Sequence, residues 1–189
     1  MAPHTDFSSS IGFVIISPEP NIARLGDTVR SIRYVFGDKA SIVCSVAKGV
    51  GKVRIDEMRG VCSTVEGGAT VTSLINRGMK ASEGDGWRVL VMEGARIPRG
   101  IESRYSRWIK SDKDVLFPIV VSHNLDGMPL KIMANFEDCT LNGIAIHTGL
   151  FREVGNFSDN PIAISKSFWA VGALQKGAAF KAILGVKII

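Results

Sequence analysis

Short apolar runs alternate with amphipathic stretches through the first half of this chain, and that alternation constrains the fold more than any other feature. IGFVIIS (11–17) is apolar almost throughout and is ended by Pro18 and Pro20, which predicts a buried strand. From Ile22 to about Tyr34 a helix is expected: Leu25, Val29, Ile32 and Val35 recur at helical spacing, and Gly37 closes it. SIVCSV (41–46) reads as a second buried strand, residues 49–57 as a glycine-rich charged surface loop, and RGVCSTV (59–65) as a third strand stopped by Gly67-Gly68. Thr70 or Thr72 then caps a helix with the stripe Val71, Leu74, Ile75, Met79, terminated between Gly84 and Gly86. WRVLVM (87–92) is the fourth strand. Strands buried on both faces read as unbroken hydrophobic runs, so this order predicts an α/β domain: a mostly parallel central sheet with helices on both faces.

The second half brings strands closer together, which makes the sheet mixed. Pro98 is placed in the first turn of a helix reaching about Lys110. VLFPIVV (115–121) is a strand whose Pro118 suggests an edge or a bulge, and PLKIMANF is its hairpin arm across Asp126-Gly127. NGIAIH (142–147) leads into a short helix capped by Thr148; Ile162 to Lys176 is the last long helix, and AFKAILGVKI the last strand. Open sheets of this kind bind ligands beyond the carboxyl ends of their strands, where strand order reverses. The loops after residues 17, 46 and 92 are therefore the places for a site.

At 189 residues the chain suits one domain, with 1–10 as a flexible lead-in and 11–189 as the folded unit. MAPHTDFSSS lacks the pattern of a secretory signal, and no stretch approaches the roughly 20 apolar residues that span a bilayer. Cys44, Cys62 and Cys139 are odd in number and widely spaced, against a disulfide framework or a CxxC zinc site; buried thiols and a cytoplasmic location are expected. His4 and His123 have no partner at metal-ligand spacing. The net charge of +5 favours anionic partners in general. Its Lys and Arg residues form no run, and the aromatics, at 7%, are not interleaved with them as stacking platforms would be, so nucleic acid is not an expected partner. KGVGK (48–52) lacks the spacing of a phosphate loop, and there is no GxSxG elbow.

Three segments carry a family resemblance. TSLINRGMKASEGDGWRVLVMEGARIP (72–98) resembles the stretch of family 2 glycosyltransferases in which an Asn-x-Gly helix ends at a glycine and a strand delivers acids to the active site. The matching positions are Asn76, Gly78, Ala81, Gly84 and the strand ending at Glu93. LNGIAIHTGLFREVGNF (141–157), with FWAVGALQKGAAFKAILGVKI (168–188), resembles the family's later strand, its Phe-Glu-Val-Gly-aromatic turn and its final helix and strand. The opening IGFVIISPEPNIARLGDTVRSIRY is similar to the first strand, proline-containing loop and helix. The resemblance spans about residues 11–188 and implies the GT-A type of Rossmann-like fold, a nucleotide-sugar donor and a carbohydrate or glycan acceptor.

That family needs carboxylates for physical reasons: a divalent cation neutralises the diphosphate leaving group, and a general base takes the acceptor's proton. Here the acids are thinned at every such place. Ser45, Val46, Ala47 and Lys48 follow the second strand; Glu93, Gly94 and Ala95 stand at Asp-x-Asp; Lys166 and Ser167 stand at the Glu-Asp base position. The resemblance then implies a donor side of Ser17, Pro18, Glu19, Ser45, Asn76, Arg77 and Glu93, with Glu93 as the one candidate ligand for Mg²⁺ or Mn²⁺. Asn142 and Gly143 fall on the acceptor side. His147 and Asp138, of the pair Glu137-Asp138, are the candidate acid–base groups. Lys48, Arg54, Arg77 and Arg96 offer positive charge to a diphosphate without metal. Two readings follow: a glycosyltransferase, or a non-catalytic binding or assembly module of the same fold. A nucleotidyltransferase would need a basic, glycine-rich loop after the first strand, and SPEPN supplies none.

Overall fold

A computed structural model describes residues 7, 10–48, 62–82, 84–119, 121–123, 129–132, 142–158 and 168–184. The four apolar runs of the first half form β1 (Ile11–Ser17), β2 (Ser41–Ala47), β3 (Ser63–Gly67) and β4 (Trp87–Met92). β3 starts later than its sequence suggested, because its parallel register with β2 pairs Val43 with Ser63 and Ala47 with Gly67. That register brings both strands out at the same edge. Between them lie α1 (Ile22–Phe36), capped by the Asn21 side chain on the Arg24 amide, and α2 (Val71–Ala81), capped by Thr70 on the Ser73 amide. α3 (Ile101–Trp108) begins after Gly100, which has φ 77°; Pro98 lies in the non-helical chain ahead of it rather than in its first turn.

The chain continues through β5 (Asp114–Ile119), β6 (Val121–His123), β7 (Pro129–Ile132), β8 (Ile144–His147), α4 (Thr148–Val154), α5 (Phe168–Gln175) and β9 (Ala179–Leu184). The main sheet has seven strands in the order β3-β2-β1-β4-β8-β5-β9, all parallel except β8, which runs against both β4 and β5. β6 and β7 form a separate antiparallel pair. Pro118 did not mark an edge: β5 is internal. The β8 ladder engages only Val115 and Leu116, so Pro118 stands past the end of that pairing, opposite Ile183 of β9.

Period-two alternation splits each central strand between two cores. Phe13, Ile15, Val89 and Val91 pack under Leu25, Val29 and Ile32 of α1 and under Ile101 and Tyr105 of α3. Val14, Ile16, Leu90 and Ile146 pack under Leu74, Ile75 and Met79 of α2, Leu150 and Phe151 of α4, and Trp169 of α5. Full burial of each such side chain is worth roughly 1.5–3 kcal/mol, so the two layers fix where the helices can lie. Gly78 marks the closest approach of α2 to the sheet, since a Cβ there would fall 2.3 Å from Val14 Cγ1. The lead-in is not wholly loose. Phe7 is buried against Trp87 and Tyr105.

Strand order reverses between β1 and β4: β2 and β3 lie to one side of β1, and β4 lies on the other. The carboxyl ends of these two strands therefore define the switch point.

Candidate functional site

Glu93, immediately after β4, and Ser17, the last residue of β1, meet at the switch point. The Ser17 hydroxyl donates to Glu93 Oε2, which also accepts the Asn21 amide at 3.0 Å, and the Glu93 amide donates to Ile16 O at 3.0 Å. On its other side Glu93 Oε1 faces the Arg24 guanidinium at 4.0 Å. Ser17 is fully buried and Glu93 nearly so. The carboxylate thus ties β4 to the start of α1 and satisfies a backbone donor that the helix leaves open.

This arrangement does not fit the divalent cation that the resemblance implied. One oxygen of this carboxylate already accepts two hydrogen bonds, and the other faces a guanidinium. The chain then turns sharply at Gly94 (φ 87°), whose amide donates to Thr28 Oγ1 at 2.8 Å, and this sends Ala95 into the apolar core beneath α1 and α3. A second acid at position 95 would point inward, not toward a ligand. Among the described residues no group of three His, Cys, Asp or Glu side chains comes together.

Asn142 and Gly143 sit on the same rim. Asn142 Oδ1 accepts the Met92 amide at 2.6 Å, and the Gly143 amide donates to Leu90 O at 2.7 Å. The buried Tyr105 hydroxyl donates to Gly143 O from the far side, an anchor that sequence reasoning passed over. The end of β4 and the chain entering β8 therefore meet at this rim. Asp138, with Lys166, Ser167 and Arg54, lies outside the described residues.

A second feature lies farther along this rim, two to three strand spacings or about 10–14 Å from β4. Lys48, Glu66, Gly67, Asn76, Arg77 and Lys80 line a cleft of about 510 Å³ at the carboxyl ends of β2 and β3. Three cationic side chains face one carboxylate there. Arg77 and Asn76, both expected on the donor side, are brought together in it. Asn76 has a structural task as well: its Nδ2 donates to Phe157 O at 2.9 Å and its Oδ1 accepts the Phe157 amide at 2.8 Å. Ser45 does not reach the cleft. It is buried beneath α2, with its hydroxyl lacking a hydrogen-bond partner among the described residues, and a Cβ on Gly67 would lie 3.5 Å from it. Pro18 is half-buried and Glu19 exposed on the β1–α1 loop. Lys80 was missed in sequence, although its i+3 spacing from Arg77 puts both on one helix face.

His147 corrects the sequence reading. Because β8 runs antiparallel to β4, Leu90 pairs with Ile144 and Trp87 with His147, which carries His147 to the opposite rim of the sheet. There its Nδ1 accepts the Gly149 amide at 3.2 Å and caps α4, in place of the expected Thr148; its ring stacks edge-on to Trp87. It cannot serve a ligand near Glu93. Burial holds the imidazole below its ordinary value, and Arg88 adds to that, while Asp112 at 3.8 Å opposes it. A folded-state pKa below the unfolded value of 6.5 means that stability is fully present above about pH 6.5 and is lost as pH falls through the folded value. The melting temperature is expected to drop between pH 7 and 5, and His147→Asn, which keeps a neutral cap, is expected to flatten that limb; parallel curves for both proteins would refute it.

Comparison with known proteins gives no matching family model and no matching curated sequence. Solved structures do match. S. aureus TarS superposes with a TM-score of 0.62 over 94% of this chain at 12% identity, and S. aureus TarS 1-349 with 0.62 over 95% at 12% identity. The same fragment in complex with UDP gives 0.61 over 94%, again at 12% identity. The fold is shared with TarS. It is the GT-A type of α/β fold, with a seven-stranded, mostly parallel sheet. This chain spans 35% of the longer TarS chain and 59% of each 1-349 chain. At so low an identity the likeness shows the fold.

Proposed function

We propose that this chain is a glycosyltransferase-like domain that binds the diphosphate of a nucleotide-sugar at the carboxyl rim of its sheet, with cationic side chains in the place of a metal. The observation that carries this reading is the cleft of Lys48, Arg77 and Lys80, set on the same rim as the switch point. Guanidinium and ammonium groups neutralise phosphate oxygens directly, and arginine does so with two parallel hydrogen bonds. The architecture shared with a TarS fragment crystallised with UDP supports a nucleotide ligand. In this reading Asn142 and Gly143 border the acceptor, an unidentified glycan, and Asp138 is the candidate base.

Titration with UDP, GDP and their sugars, with Mn²⁺ and with EDTA, tests the proposal. Binding is expected for at least one, with affinities in Mn²⁺ and EDTA agreeing to within about twofold, and Arg77→Ala weakening it about tenfold, or 1.4 kcal/mol. No binding at millimolar ligand, or binding that collapses in EDTA, would count against it.

The tied Glu93 also favours a second reading, a module that binds without turnover. Release of free nucleoside diphosphate from a bound sugar donor distinguishes the two.

A further inference from the structure

Of the five exposed large hydrophobic side chains among the described residues, Val171 and Leu174 lie on α5, and the other three lie on the opposite face of the sheet. Ile22, Tyr34 and Trp108, which are 38%, 66% and 46% exposed, all belong to the α1 and α3 layer on one face of the sheet. The same layer concentrates positive charge. Residues 96–110 carry Arg96, Arg99, Arg104, Arg107 and Lys110 against the single acid Glu102, and all five cations are exposed.

Asp27, Asp38 and Asp114 pair with Arg30, Arg33 and Lys181, and Asp112 lies beside His147. α3 is anchored from beneath by Ile101 and Tyr105 and turns Ser103, Arg104, Ser106 and Arg107 outward. A hollow on one side of it holds Tyr34 with the Arg99 guanidinium 4.6 Å over its ring, and a hollow on the other is formed by Trp108 with Arg104 and Arg107. Trp108 already stands among Arg104, Arg107 and Lys110 in the sequence, whereas Tyr34 and Arg99 are far apart in it. The fold brings that second pair together.

We propose that this layer docks on an anionic lipid surface, with Tyr34 and Trp108 at headgroup level and Arg99, Arg104, Arg107 and Lys110 against the lipid phosphates. Amphipathic aromatic rings prefer the polar–apolar boundary, and clustered basic side chains are drawn to anionic headgroups over a Debye length. Long cationic side chains extend their charge past the rings toward the phosphates. A nucleic-acid strand fits less well, because it would need ring faces free for stacking, and Arg99 already covers one face of Tyr34. No helix among the described residues is long and apolar enough to cross a membrane, so this contact is peripheral.

Co-sedimentation of the full chain with vesicles tests it. Vesicles containing about one-third phosphatidylglycerol are expected to bind at least about tenfold more tightly than pure phosphatidylcholine, and 0.5 M salt is expected to abolish most of the difference. The double variant Arg107→Glu/Lys110→Glu should lose that preference, while Trp108→Ala should weaken binding at every salt concentration; unchanged melting temperatures verify that both variants are folded. Equal binding to both vesicle types, an undiminished preference in the double variant, or tighter binding of single-stranded oligonucleotides than of vesicles at the same salt would overturn the proposal.

Discussion

Glu93→Ala is expected to lower stability by about 3 kcal/mol, the largest effect of any single change at the switch point. The substitution strands two donors at once: the fully buried Ser17 hydroxyl and the Asn21 amide at the start of α1. Hydrogen bonds to a charged acceptor contribute about 1.5–3 kcal/mol each, and burial makes the orphaned Ser17 hydroxyl costly to leave unpaired. In a domain of this size the melting temperature should fall by roughly 6–12 °C. Glu93→Gln, which retains one acceptor oxygen, should lose less. The same experiment bears on the metal question. A metal-ligating Glu93 would leave the melting temperature almost unmoved and strip away Mn²⁺-dependent binding, the reverse of what the geometry demands.

Asn76→Ala should be nearly as damaging, at about 2–3 kcal/mol by urea unfolding, because one amide closes both the amide and the carbonyl of Phe157. Phe157 is itself buried, stacked between Phe151 and Trp169, so the bond pair holds the chain after α4 against α2. Asn76→Asp separates the two bonds: its carboxylate keeps the acceptor for the Phe157 amide and loses the donor to the carbonyl. Nucleotide affinity per folded molecule should change little in Asn76→Ala, in contrast to Arg77→Ala, whereas Asn76→Asp places a carboxylate in the cleft and should weaken binding of a diphosphate. Equal losses of affinity in Asn76→Ala and Arg77→Ala, with stability intact, would make Asn76 a ligand contact instead.

Much of the architecture was legible from local pattern. The runs at 11–17, 41–46 and 87–92 are apolar nearly throughout because both faces of β1, β2 and β4 are covered, and Thr70 and Gly37 punctuate their helices by local chemistry. What failed depended on partners distant in sequence. Pro118 looked like an edge signal, since no local pattern reveals where the β8 ladder stops. His147 followed an apolar strand and looked like a cleft residue, but the direction of β8 decides which rim a strand end reaches, and direction has no periodicity. Glu93 lies against Ser17, and its engagement by that hydroxyl, the Asn21 amide and Arg24 is a property of a loop conformation that no local pattern reveals. Ser45 shows the same limit: alternation told that it was in a strand, not that α2 would lie over it.

The inserted position of β8 has a consequence for the order in which the sheet can assemble. A chain emerging from the ribosome has β3, β2, β1 and β4 available by residue 92, so that half can pair at once. β5 is made next, but both of its neighbours, β8 and β9, are still to come. For at least the next 25 or so residues of synthesis it has unsatisfied ladder groups and nothing in the main sheet to join, and the β4 edge is equally bare. An unpaired strand and an open edge in the same nascent chain are where strands of different molecules find each other. This protein's vulnerability during synthesis is therefore set by one late strand of four residues.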